Sequence, residues 1–94
     1  MQKLVSIIMG VYNGADALSQ AIDSIIAQTY THWELIACDD SSTDDTPKIL
    51  FDYAKRDSRI VVIHNEKNCG LAASLNHCLK YVRGTYIARM DCDD

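Results

Sequence analysis

The chain has no surplus of positive charge. Nine lysines and arginines stand against thirteen aspartates and glutamates, a net charge of −4, so there is no basic footprint for nucleic acid. Long apolar runs are missing too, and nothing approaches the roughly 18 residues of a membrane span. The opening Met1-Gln2-Lys3-Leu4-Val5-Ser6 has too short an apolar run for a secretory leader and passes straight into strand-like sequence. Cys38, Cys69, Cys78 and Cys92 form no C-x-x-C pair and match no zinc spacing. These absences lead us to expect a reducing, cytoplasmic setting with free thiols. The four glycines form neither G-x-G-x-x-G nor G-x-x-x-x-G-K-[ST], which weakens a dinucleotide-fold or P-loop reading. An acidic chain of this kind needs a metal, backbone N–H groups or a few local cations to hold an anionic ligand.

What is present is one domain's worth of sequence: 94 residues, 48% hydrophobic, enough to build a core. Strand-like and helix-like segments alternate, without repeat or linker. Leu4–Met9 is a short apolar run suited to a buried parallel strand. Gly10 to Gly14 breaks the pattern, and Ala15–Gln28 reads as a helix with Leu18, Ile22, Ile25 and Ile26 on one face. Trp33–Cys38 is a second strand, closed by Asp39-Asp40. Ser41, Ser42 and Thr43 offer N-cap hydroxyls for the next helix, where Pro47 is tolerable in the first turn and Ile49, Leu50, Tyr53 and Ala54 form the apolar face. Ile60–Ile63 is a third strand. Leu71, Leu75, Cys78, Leu79 and Val82 mark a third helix that Gly84 ends, and Thr85–Met90 is a fourth strand.

This order predicts an α/β fold: a three-layer α/β/α arrangement with a mostly parallel sheet, Rossmann-like, strand order 3-2-1-4. Strands 1 and 4 are then neighbours at a switch point, where ligands bind outside the C-terminal strand ends. Val11, Tyr12 and Asn13 follow strand 1, Asp39 and Asp40 follow strand 2, and Asp91, Asp93 and Asp94 follow strand 4. One aromatic ring and two acidic clusters therefore converge. That inventory suits a base and ribose held by stacking and carboxylate acceptors, with a hard cation such as Mg²⁺ or Mn²⁺ bridging a diphosphate. His64 and His77 have no partner at metal spacing and are expected in surface or core roles.

The segments Val5-Ser6-Ile7-Ile8-Met9-Gly10-Val11-Tyr12-Asn13, Ser24–Tyr30, Trp33–Thr46, Asn68–Asn76 and Gly84–Asp94 together resemble the N-terminal half of family 2 glycosyltransferases, of GT-A fold. The resemblance implies that Tyr12 lies against a nucleobase and that Asp40 accepts a hydrogen bond from it, with Asp39 beside. It also implies that Asp91 and Asp93 form a DxD motif contacting ribose and metal, with Asp94 extending it. Which carboxylate meets the metal stays open; Asp93 and Asp94 are the assignment. The Gly70–Asn76 segment would line the nucleotide side. Implied too are Mn²⁺ or Mg²⁺ as cofactor, a nucleotide diphosphate sugar (UDP-linked above all) as partner, and inversion at the anomeric carbon, with the base supplied further along the chain.

Position 10 is Gly where the family most often has Pro, and Cys92 falls at the motif's variable position. Residues 1–94 would thus be a partial GT-A domain cut at the DxD motif, inactive in transfer alone. A non-catalytic nucleotide-binding or interaction module is the alternative, and a receiver-like domain a remote third. A sheet cut after strand 4 is expected to self-associate through the exposed edge.

Overall fold

The computed structural model describes residues 2–92. Seven elements alternate: β1 (Val5–Val11), α1 (Ala15–Ala27), β2 (Trp33–Asp39), α2 (Thr46–Arg56), β3 (Ile60–His64), α3 (Leu71–Leu79) and β4 (Tyr86–Arg89). The sheet is parallel throughout, in the order β3-β2-β1-β4. The predicted topology is therefore present, and it differs from the 2-1-3-4-5 order of a receiver-like domain.

Alternation of side chains across the sheet divides the core in two. Ile7, Met9 and Val11 of β1 and Trp33, Leu35 and Ala37 of β2 face α1 and α2, whose Leu18, Ile22, Ile25, Leu50 and Tyr53 complete that layer. Ile8, Ile36 and Cys38 face the other way and meet Cys78, Leu75 and Val82. This gives the three layers.

Several boundaries differ from the sequence reading. β1 continues through Gly10 to Val11, because its pairing with β2 runs on through Gly10–Cys38 and Val11–Asp39, and α3 lies close over position 10. A Cβ there would stand 2.9 Å from Leu71 Cδ1 and 3.2 Å from Ser74 Cβ. The hydroxyls of residues 41–43 do not cap α2. Asp45 takes that position, Asp44 Oδ1 accepts from Thr46 N (2.9 Å), and the Ser42 and Thr43 hydroxyls bond Asn13 in the loop after β1 instead. α3 stops at Leu79, and Leu71 and Leu79 are exposed rather than core.

Gly84 does not end that helix; it crosses the start of β1. A Cβ on it would lie 2.6 Å from Leu4 O and 2.6 Å from Ser6 Oγ. A buried polar knot fixes this crossing. Ser6 Oγ donates to Glu34 Oε2 (2.6 Å), Arg83 N donates to the same oxygen (2.7 Å), Arg83 Nε donates to Oε1 (3.1 Å), and Gly84 N donates to Ser6 Oγ (2.8 Å). Burial alone would raise the Glu34 carboxyl, but these donors outweigh it and hold it below the ordinary range. No described helix is long and apolar enough to cross a membrane. Cys38, Cys69 and Cys78 are free thiols.

Candidate nucleotide site

The C-terminal ends of β1 and β4 flank an open cavity of about 300 Å³, lined by Gly10, Val11, Tyr12, Asn13, Gly14, Leu71, Asp91 and Cys92. Four of the sequence-predicted residues meet here: Val11, Tyr12, Asn13 and Asp91. Asp39 and Asp40 lie on the neighbouring strand end, outside the lining. Asp93 and Asp94, the expected metal ligands, fall outside the described residues.

Each lining residue is placed by local chemistry. Tyr12 has 53% of its surface exposed, an open aromatic face at the mouth. The Val11 side chain belongs to the core, and its carbonyl accepts from Asp40 N (2.8 Å). Asn13 adopts φ of +50°, a conformation asparagine tolerates better than most residues. Its Oδ1 accepts from Thr43 N (2.8 Å), while its own N–H donates to Ser42 Oγ (2.9 Å). Gly14 N donates to Thr46 Oγ1 (3.0 Å) and Ala15 N to Asp44 Oδ2 (3.2 Å). The loops after β1 and β2 are thus stitched together, and Asn13 serves the stitch as well as the cavity.

Cys92 is buried in the core against Gly14. A Cβ at position 14 would lie 2.8 Å from its Sγ. This contact anchors the segment after β4 and sets Asp91 beside the cavity. Asp91 Oδ1 accepts from Arg89 Nε (3.0 Å), and both side chains are partly exposed. One hard carboxylate beside the cavity fits Mg²⁺ or Mn²⁺, which commonly use one or two carboxylates plus substrate phosphates. Among the described residues no group of three or more His, Cys, Asp or Glu side chains could enclose a metal ion.

Asp40 behaves unlike its neighbour. Both are buried, but both oxygens of Asp40 are occupied. Oδ1 accepts from Asn65 Nδ2 (2.8 Å) and Cys69 N (2.8 Å); Oδ2 accepts from Gly70 N (2.9 Å) and Asn68 Nδ2 (3.1 Å). Burial pushes its carboxyl upward, but the donors together hold it below the ordinary range. Four donors fill a carboxylate's lone-pair sites. A nucleobase N–H reaching Asp40 must therefore displace one of them; Asn68 is exposed and makes the longest of the four bonds, its Nδ2 also donating to Asp40 O (3.1 Å). Asp39 has a single side-chain partner among the described residues, Ser42 N at 3.2 Å.

The sequence reading singles out Asn68–Asn76 but misses Asn65; with Asn68, Cys69 and Gly70 (φ +94°) it sends donors to Asp40 from 25 to 30 positions away. Cys38, Asn65 and His77 cluster nearby without forming a nucleophilic site. The hydrogen bond with Cys78, and then burial, push the Cys38 thiol up, so it stays protonated.

Residues 6–94 match glycosyl transferase family 2. EpsE of Bacillus subtilis (strain 168) is 55% identical over 91 residues, which cover 96% of this chain and 33% of that protein. The UDP-Glc:alpha-D-GlcNAc-diphosphoundecaprenol beta-1,3-glucosyltransferase WfgD of Escherichia coli is 45% identical over 91 residues, 97% of this chain and 35% of that protein. The fold superposes on the mannosyltransferase PcManGT from Pyrobaculum calidifontis in complex with GDP-Man and Mn²⁺. The TM-score is 0.90 at 26% identity, over 99% of this chain and 28% of that one. It also superposes on S. aureus TarS 1-349 in complex with UDP-GlcNAc, with a TM-score of 0.88 at 27% identity, over 95% and 26% of the two chains. The chain belongs to glycosyl transferase family 2 and spans about a third of the length of these sequence relatives.

Proposed function

We propose that this member of glycosyl transferase family 2 supplies the donor-binding part, residues 1–94, of an inverting glycosyltransferase that moves a sugar from a UDP-sugar to an acceptor hydroxyl in glycan synthesis. The observation that carries this reading is the cavity at the β1/β4 switch point, with exposed Tyr12 at its mouth and Asp91 beside it. The complexes of PcManGT with GDP-Man and Mn²⁺ and of TarS with UDP-GlcNAc support it.

In this reading the Tyr12 ring stacks on the base. Asp40 accepts from a base N–H in place of Asn68, and Asp39 lies beside it. Val11 and Asn13 shape the floor and wall. Asp91 takes the ribose side, and Asp93 and Asp94 hold the metal with the diphosphate. Mn²⁺ or Mg²⁺ supplies neutralisation of the charge that builds on the leaving diphosphate. The base for the acceptor hydroxyl comes from outside these residues, so we expect the 94-residue chain to bind donor without transferring sugar. The site lies on the cytoplasmic side.

Calorimetric titration with UDP, with and without Mn²⁺, tests the reading. Saturable binding that strengthens with Mn²⁺ is expected. No binding in either condition up to millimolar UDP would make the chain a non-catalytic interaction module instead.

A further inference from the structure

Asn65 lies outside the cavity, yet it joins three elements behind it. It directly follows β3, and its backbone N–H donates to Asp39 O (2.9 Å). Its side chain uses all four hydrogen-bonding positions. Nδ2 donates to Asp40 Oδ1 (2.8 Å) and to Ser74 Oγ (3.0 Å). Oδ1 meets His77 Nδ1 (2.8 Å) and accepts from the Cys38 thiol (3.5 Å). Ser74 Oγ donates onward to Gly70 O (2.9 Å). An ionised Asp40 only accepts, so the amide nitrogen must face it. The amide oxygen then faces His77, whose Nδ1 carries the proton. Chemistry, not just packing, fixes the orientation of this side chain.

We infer that Asn65 is a positioning residue of the nucleotide site: it sets the place and the charge of Asp40, and through Asp40 the Cys69 and Gly70 N–H groups that open α3. This rests on the donor-site reading above. Asp40 is too buried for water to replace a lost donor. Exchanging the amide for a carboxylate would put two acids within hydrogen-bond distance, where they share one proton. The other titratable groups on the elements packed here are Tyr12 after β1, Cys38 and Asp39 on β2, His64 at the end of β3, Glu66, Lys67 and Cys69 in the loop, and His77 and Cys78 on α3.

The experiment is a pH series on the 94-residue chain, native and Asn65→Asp. It reads the Asp40 carboxyl by ¹³C NMR and UDP affinity in Mn²⁺ by calorimetry. In the native chain Asp40 titrates low, and affinity changes at about pH 6 only through the second ionisation of the UDP phosphate, so each variant is read as its ratio to native at the same pH. In N65D the shared proton replaces the amide donor at low pH, so affinity stays within about twofold of native, then falls about fivefold or more as that proton leaves. A purely structural role would lower affinity equally at every pH.

His77→Ala tests the same link should N65D not fold, with the Asp40 titration moving upward by a smaller step and UDP weakening about twofold. Asp40 titration and UDP affinity unchanged in these variants at every pH would overturn the inference. If the native chain binds no UDP, the donor-site reading falls with it, while the Asp40 titration still decides whether Asn65 sets its charge.

Discussion

The Asp40 carboxylate and the Gly70 N–H are 30 residues apart in the chain and 2.9 Å apart in space. The bond ties the end of β2 to the start of α3, and Leu71, the next residue, forms one wall of the cavity. The acidic residue that the sequence points to as a ligand is thus also the clasp of the site that would hold the ligand.

Asp40→Ala leaves four donors without their acceptor. We expect a loss of about 3 kcal/mol in denaturant unfolding, with amide exchange rising most at Cys69 and Gly70. The folded Asp40 carboxyl lies below its unfolded value. Its stabilisation is therefore complete above the unfolded value of about 3.9 and is lost as pH falls through the lower folded one. Native stability should drop in that acid window, and D40A should flatten the drop.

Gly84→Ala puts a methyl group against Leu4 O and Ser6 Oγ. Backbone cannot yield as a flexible side chain can, so the Ser6–Glu34–Arg83 knot must open. A cost of about 3 kcal/mol is expected, seen as a lower midpoint in thermal unfolding with UDP absent. The knot lies at the opposite sheet end from the cavity, so folded G84A at low temperature should keep native UDP affinity.

Tyr12→Ala reverses that pattern. The ring is exposed and outside both core clusters, so stability should change by less than about 0.5 kcal/mol. UDP binding should lose about 1–3 kcal/mol of stacking, measured by calorimetry.

Removing metal with EDTA should weaken UDP binding at least about tenfold, because the diphosphate loses its counter-charge beside an acidic cluster. Asp93→Asn should weaken binding in Mn²⁺ while leaving metal-free binding near native, whereas Asp91→Asn, on the ribose side, should weaken binding with and without metal.

β4 is an edge strand with Tyr86 at 59% and Ile87 at 52% exposure. We expect dimers or swapped assemblies in sedimentation at high protein concentration, dissociated by Ile87→Lys. A monodisperse monomer throughout would rule this out.

The sheet was legible because its signals are local. The β-branched runs at Ile60–Ile63 and Leu4–Met9, and helices with apolar residues every third or fourth position, suffice to place the elements, and their strict β-α alternation then points to the Rossmann-like strand order. The switch-point cavity followed, with Tyr12 and Asp91 in it. What the sequence hid was settled by contacts between distant segments. β1 runs through Gly10 because it stays paired with β2 as far as Asp39, and Cys92 is core because Gly14 leaves room for it. Thr43 staples a loop because Asn13 competes for it, and Asp40 is saturated by a loop that arrives 25 residues later.

The most direct test is a map of backbone amide shifts in the 94-residue chain titrated with UDP and Mg²⁺. The account predicts saturable changes concentrated at Tyr12, Asn13, Asp39, Asn68, Gly70 and Asp91, with Ser6, Glu34 and Arg83 still. Saturable changes centred on Glu34 and Arg83 instead, or no changes up to millimolar UDP, would contradict it.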